Sequence, residues 1–106
     1  MLTRKLIFAA MFIPLLASGA VQAGGDAARG QELSADCVDC HGADGKGVDG
    51  NPPIAGLDET KHVEMLKAYK SGERTDEGDV MLMFTEELSE QDMADLAAYY
   101  ATLSGG

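Results

Sequence analysis

A chain of 106 residues has room for one domain, and its formal charge of −10 disfavours nucleic acid and anionic membrane surfaces as partners. With no tryptophan and 13 glycines, it also has few large apolar side chains for a core. A domain of this size is therefore expected to need an additional stabilising element, such as a bound group.

The first 23 residues have the composition of a secretory signal peptide. A basic start, MLTRK, precedes an apolar run, and small residues end the segment at Ala23. A membrane anchor is the alternative. Pro14 and Gly19 interrupt the apolar run, however, and the run falls short of the ~20 apolar residues that a spanning helix needs. We expect export, cleavage after Ala23 and a mature domain of residues 24–106 whose 6 basic and 18 acidic residues give a charge of −12.

The spacing of apolar residues predicts three main helices and no strands, and therefore an all-α fold. The first helix covers residues 27–41, with Ala27, Gly30, Leu33 and Cys37 on one face. A glycine inside a helix costs up to ~1 kcal/mol relative to alanine. We therefore expect another segment to cross this helix closely at Gly30, with a harmless weak spot as the alternative.

The other two helices have recognisable ends. The second runs from a cap at Asp58 or Thr60 to Gly72, and the third starts at Ser89, where Ser89 and Asp92 resemble a capping box.

Two long connections separate the helices. Residues 42–56 are rich in glycine, proline and aspartate and are predicted to form a loop, which at this length is usually functional or disordered. Residues 73–87 are predicted to be irregular, with one apolar patch at 80–84.

Both cysteines lie in the sequence CVDCH. Cys37 and Cys40 are three residues apart, and Cys37 and His41 are four apart, so on a helix all three project to one side. C-x-x-C-H is the attachment sequence of c-type haem, in which the thiols add to the vinyl groups and the imidazole becomes an axial ligand of the iron. The pattern predicts one covalently bound haem c with His41 on the iron.

Three other uses of a cysteine pair remain as alternatives. A structural zinc site needs four ligands, and this chain has one cysteine pair and only one further histidine, His62. A thioredoxin-like dithiol needs a βαβ context, which the pattern lacks. A disulfide between Cys37 and Cys40 would be strained and would close a short loop.

Over residues 26–103 the chain resembles the class I c-type cytochromes. The resemblance rests on GQELSADCVDCHGADGKG, NPPIAGL, KAYKSGERT, VMLM and LSEQDMADLAAYYATL. It is similar to single-haem periplasmic carriers, to one half of two-haem periplasmic cytochromes and to the haem subunit of flavocytochrome c sulfide dehydrogenases. The resemblance implies a cytochrome c-like fold, with three main helices and long loops wrapped around one haem, and a periplasmic location.

The resemblance also assigns roles to residues. Cys37 and Cys40 would carry the thioether bonds, and the backbone carbonyl of Pro52 would accept a hydrogen bond from the ring N–H of His41, which would fix the orientation of the ring. The family places the sixth iron ligand seven residues before the Leu-Ser pair that starts the last helix, which is Met81 here.

Other candidates for the sixth position are less favoured. Met83 lies in the same connection and is the first alternative. Met65 and Met93 lie on predicted helices and are expected to pack in the core. His62 would give a bis-histidine iron, but near the start of a helix we expect it to be a solvated surface residue.

An iron whose axial positions are filled by His41 and Met81 does not bind substrate readily, so we expect an electron carrier, not an enzyme. A haem-bearing subunit of a multi-chain oxidoreductase, such as a sulfide dehydrogenase, is the first alternative, and an enzyme or sensor with an open haem site is the second. The negative charge favours redox partner proteins with a basic docking surface, contacted transiently. Neither nucleic acid nor stable membrane insertion after cleavage is expected.

Overall fold

The computed structural model describes residues 24–105, so the predicted signal peptide lies outside the described residues and stays a prediction. In that part of the chain there are five α-helices, two short 3-10 turns and no strand. No helix between residues 24 and 105 has the length and apolar composition needed to cross a membrane. The helices are α1 (Ala27–Leu33), α2 (Val38–His41), α3 (Glu59–Ser71), α4 (Val80–Thr85) and α5 (Glu90–Ala101).

The segment predicted as one helix, residues 27–41, is divided by a 3-10 turn, Ser34–Asp36, that separates α1 from α2. The buried Ser34 hydroxyl donates to a backbone carbonyl one turn earlier, at 2.6 Å, and such local bonds compete with α-helical ones. The prediction of one continuous helix was wrong. Cys37 and His41 nevertheless remain one turn apart, because the His41 N–H donates to the Cys37 carbonyl at 2.9 Å.

The ends of α3 and α5 follow the predicted caps. Of the two candidates at the start of α3, Asp58 is the cap, since its carboxylate accepts the Lys61 N–H at 3.1 Å. Gly72 ends the helix in the left-handed conformation, with φ 85°. At α5, Ser89 and Asp92 form the predicted capping box, with bonds of 2.9 and 3.0 Å.

The close crossing predicted at Gly30 is confirmed, and it joins α1 to α5. A Cβ at Gly30 would lie 1.9 Å from the Asp95 carbonyl oxygen and 2.8 Å from the Tyr99 Cβ, so only glycine allows this approach. The buried carboxylate of Asp95 reinforces the crossing. It accepts hydrogen bonds from the Asp26 N–H and from the Arg29 guanidinium, both at 2.7 Å.

The connection between α2 and α3 is a loop, as predicted, and it folds back onto the end of α2. The Gly47 N–H donates to the His41 carbonyl at 2.8 Å, and the Ile54 N–H donates to the Gly45 carbonyl at 2.7 Å. Gly47 has φ 92°, and a Cβ there would lie 2.5 Å from the Asn51 carbonyl oxygen. Glycine at this position therefore lets the loop return to His41.

The apolar patch at 80–84 is helical, so the prediction of an irregular connection was wrong for α4. Gly78 and Asp79 both have positive φ, 80° and 55°, and they turn the chain immediately before the helix. α4 then packs against α3, with Thr85 fully buried at its end. Tertiary packing gives this six-residue helix a stability that its length alone would not.

Few large side chains form the core. The buried apolar residues are Ile54, Leu66, Met93, Leu96 and Tyr100 with Ala55, Ala97 and Ala98. This small core lies beside a large cavity.

Candidate functional site

The cavity has a volume of about 480 Å³, which is within the range of cofactor-binding sites. The loop after α2 and helices α2 to α5 form its wall, which is mainly apolar. Both cysteines, both histidines, Pro52 and Met81 lie in that wall. A second cleft of the same volume lies between Gly24–Gly25, α3 and α5. Most of the side chains that line it are charged or polar, and none is a cysteine, histidine or methionine.

His41 is held in the cavity wall by the loop. It is buried, and its Nδ1 lies 2.8 Å from the carbonyl oxygen of Pro52, so the predicted hydrogen bond is present. Because a carbonyl only accepts, Nδ1 must carry the hydrogen and donate it. In the neutral ring Nε2 is then left with its lone pair, which is the form that binds metal ions.

Cys37 and Cys40 are half-buried free thiols in the same wall. Burial raises the pKa of Cys37, so this cysteine is held as the thiol at neutral pH. A reactive redox dithiol has a lowered pKa instead. Within residues 24–105 no group of three or more histidine, cysteine, aspartate or glutamate side chains could hold a metal ion.

The two candidate methionines of α4 differ in position. Met81 is half-buried and lies in the cavity wall, whereas the Met83 side chain is 62% exposed and is not part of the wall. Met81 and Met83 are two residues apart, so they project to opposite sides of α4, which explains the difference. The structure therefore brings Met81, and not Met83, to the cavity that contains His41.

The prediction that His62 is a solvated surface residue was wrong. The side chain is buried, and its ring lies 5.7 Å from the ring of Tyr100. Burial, and the nearby His41, lower the pKa of His62 to about 4, so the ring is neutral at pH 7. The spacing in the sequence could have shown this, because His62 precedes the buried Leu66 by four residues and shares its helix face.

Two buried polar atoms of the wall have no hydrogen-bond partner among residues 24–105: Nδ1 of His62 and the hydroxyl of Tyr100. Native proteins rarely leave such atoms unpaired.

The side chains around the cavity fit a c-type haem. Two thiols and an imidazole come from one turn of the chain, and the thioether of Met81 comes from a separate helix. These are the donors that attach a c-type haem and bind its iron on both faces.

The comparison with known families agrees with this set of donors. The family model described as cytochrome c matches residues 27–104. The chain belongs to the cytochrome c family. Members of this family bind haem c and transfer electrons to redox partners, and Cys37, Cys40 and His41 fit its attachment sequence.

Two curated relatives differ in how much of their length this chain covers. The chain is 41% identical over 81 residues to cytochrome c-554(548) of Halomonas halodenitrificans, covering 74% of this chain and 96% of that protein. It is 38% identical over 99 residues to cytochrome c4 of Pseudomonas aeruginosa, covering 91% of this chain but 47% of that protein. The chain thus spans nearly the whole of one relative and about half of the other.

Solved structures show the same fold. Reduced recombinant cytochrome c4 from Pseudomonas stutzeri superimposes with a TM-score of 0.69 at 26% identity, covering 78% of this chain and 53% of that one. The thiosulfate dehydrogenase of Marichromatium purpuratum gives a TM-score of 0.72 at 29% identity, covering 84% of this chain and 22% of that one. The all-α cytochrome c fold predicted from the sequence is confirmed.

Proposed function

We propose that this chain is a periplasmic electron carrier with one covalently attached haem c. Cys37 and Cys40 form the thioether bonds, and His41 and Met81 are the axial ligands of the iron. The convergence of these four side chains on one mainly apolar cavity carries the proposal. Export requires the segment 1–23, which is removed after Ala23.

The bound haem would supply one-electron redox chemistry at its iron. The chain binds the haem, orients the ligand side chains and shields the site from solvent. Pro52 accepts the Nδ1–H of His41 at 2.8 Å, which fixes the ring and makes Nε2 the coordinating atom. The apolar wall keeps the site at a low dielectric constant, which, with thioether ligation, tunes the potential at which the iron is reduced.

Ligation by both His41 and Met81 supports a carrier over an enzyme, because it leaves no position on the iron for a substrate. Four acidic residues, Asp36, Asp49, Asp76 and Glu77, line the same cavity. They favour redox partners with a basic surface. We expect electron transfer with such a partner to slow as ionic strength rises; a rate that is independent of salt would contradict electrostatic docking.

Optical spectra of the purified protein in both oxidation states test the haem and its ligands. We expect a c-type spectrum, haem staining that survives denaturing electrophoresis, and the weak far-red band of ferric iron with sulfur ligation. Met81→Ala should abolish that band, whereas Met83→Ala should leave it unchanged. Loss of the band in Met83→Ala alone would reassign the ligand, and its absence from the wild type would leave His62 as the candidate, tested by His62→Leu.

A haem-bearing subunit of a larger oxidoreductase is the second candidate. The match to 22% of a thiosulfate dehydrogenase chain favours it, since a similar domain is part of that larger protein. Size-exclusion chromatography of the protein from its native periplasm separates the two. A carrier elutes at the size of residues 24–106, whereas a subunit elutes with a larger partner. Mass spectrometry of the same sample tests cleavage after Ala23.

A further inference from the structure

The backbone of Met81 is held on both sides by side chains of neighbouring residues. The Thr85 hydroxyl donates to the Met81 carbonyl at 2.8 Å. The Met81 N–H donates to the carboxylate of Asp76, in a long bifurcated bond of 3.3 and 3.4 Å to its two oxygens. Both polar groups of this peptide backbone therefore have a side-chain partner.

The reach of Asp76 to Met81 depends on the backbone between them. Gly78 and Asp79 are both left-handed, and together they fold the chain back before α4. Asp79 occupies the N-cap position of α4 but makes no side-chain cap bond. The carboxylate of Asp76 takes that role, three residues earlier than usual.

Thr85 is unusual because its side chain is completely buried, at 0% exposure. Threonine is mostly an exposed residue in folded proteins. Its hydroxyl also lies 3.3 Å from the Leu82 carbonyl. The buried Thr85 hydroxyl bonds to the α4 backbone at Met81. It therefore fixes the part of the helix from which the Met81 side chain extends.

We propose that Asp76 and Thr85 are positioning residues that keep the Met81 thioether directed into the cavity, toward the iron. This inference rests on the proposed function, in which Met81 is the sixth ligand. Without either contact α4 samples more orientations, and Met81 leaves the iron more often. An external ligand then competes more successfully for the open position.

Imidazole binding to the ferric haem protein measures this competition. Each hydrogen bond helps to keep Met81 directed toward the iron. Loss of one such bond is expected to raise the apparent association constant of imidazole about 3- to 10-fold, where tenfold corresponds to 1.4 kcal/mol. We expect this rise in Asp76→Ala and in Thr85→Val, together with a weaker far-red band. Thr85→Ser, which restores the hydroxyl, should return both values toward the wild type.

Two variants serve as matched controls. Glu87→Ala removes an exposed carboxylate just after α4 that is not part of the cavity wall. Thr102→Val removes a hydroxyl at the end of α5 that donates to the Tyr99 carbonyl at 2.6 Å and is not part of the cavity wall. Both should bind imidazole as the wild type does, and a melting curve of each variant corrects for general loss of stability.

The outcomes separate this inference from the proposed function. If Met81→Ala raises imidazole binding but Asp76→Ala and Thr85→Val do not, or if the controls rise equally, the positioning role is overturned and the ligand assignment stands. If Met81→Ala binds imidazole as the wild type does, both are overturned. Should Thr85→Val fail to fold, Asp76→Ala alone decides, because its half-buried side chain can be removed without opening the core.

Discussion

The buried carboxylate of Asp95 allows a quantitative test of how α1 and α5 are joined. At 1% exposure it accepts bonds from the Asp26 N–H and the Arg29 guanidinium, both at 2.7 Å, and from the Gln91 amide at 2.8 Å. Burial alone would raise the pKa of Asp95, but these bonds outweigh it and hold the pKa below its usual value. The carboxylate therefore stabilises the folded state.

The substitution Asp95→Asn keeps the shape and removes the charge. One carboxylate oxygen accepts from Asp26 and Gln91, and the other accepts from Arg29. If the amide keeps its oxygen toward Asp26, its NH₂ group faces the guanidinium, and the bond to Arg29 is lost. A hydrogen bond to a charged group contributes about 1.5–3 kcal/mol. Because Arg29 is half-exposed and also pairs with Asp92 at 2.7 Å, it is not left unpaired, and we expect a loss of about 2 kcal/mol.

Denaturant unfolding of the haem-loaded ferric protein at pH 7 measures this loss. Glu90→Gln is the matched control on the same helix, because its carboxylate is 85% exposed and lies 3.5 Å from Lys67. A surface ion pair of this kind contributes about 0–1 kcal/mol. A loss below about 0.5 kcal/mol in Asp95→Asn, or an equal loss in Glu90→Gln, would refute the argument.

The dependence of this stability difference on pH tests whether the charge of Asp95 is its cause. Because the pKa of Asp95 is lower in the folded state than in the unfolded one, the unfolded state binds more protons as pH falls. The advantage of the wild type over Asp95→Asn should be complete above the unfolded pKa of about 3.9, and it should shrink as pH falls through the folded pKa. A difference that stayed constant down to about pH 2 would show that the charge is not its cause.

Three further predictions concern packing, protonation and the cofactor. Gly30→Ala places a methyl group 1.9 Å from the Asp95 carbonyl oxygen, so the helices must separate, and denaturant unfolding should show a loss of about 1–3 kcal/mol or more. The neutral His62, with a pKa of about 4, should make stability fall as pH drops from about 6.5 toward 4, by up to about 3 kcal/mol, and His62→Leu should abolish that dependence in the same assay. The chain without haem should show no cooperative transition in a thermal scan, since the small core lies beside the cavity; a transition near that of the haem-loaded protein would contradict this.

The placement of the attachment residues depends on short-range information. Cys37, Cys40 and His41 lie within five residues, and one turn of backbone places them on one side even though α1 and α2 are separate helices. Gly30 was interpretable for a similar reason, because a glycine in a helix implies a close neighbour. In each case the residue type and its spacing determine the geometry without knowledge of the rest of the fold.

The predictions that failed depend on tertiary packing. His62 was expected on the surface because it follows Lys61 near the start of a helix, and this outweighed its four-residue spacing from Leu66; the contact between α3 and α5 places it against Tyr100. The helix α4 was missed because residues 73–79 are polar and six residues are too few for a helix to be stable alone. The buried Thr85 is an exception to the usual exposure of threonine, and the sequence pattern did not indicate it.

The two proposed iron ligands, His41 and Met81, therefore differ in how firmly the rest of the chain holds them in place. His41 belongs to the attachment sequence itself, and its ring is fixed by a 2.8 Å bond to Pro52 within the adjoining loop. Met81 instead comes from a short helix 40 residues later, held by the long bond to Asp76 and by one buried hydroxyl. Because Met81 lies on a separate short helix whose start is held by a long hydrogen bond, a perturbation of the fold should displace the thioether before the imidazole. Partial denaturation of the ferric protein should then remove the far-red sulfur band at a lower denaturant concentration than it removes helical circular dichroism, and coincident loss of the two signals would contradict this order.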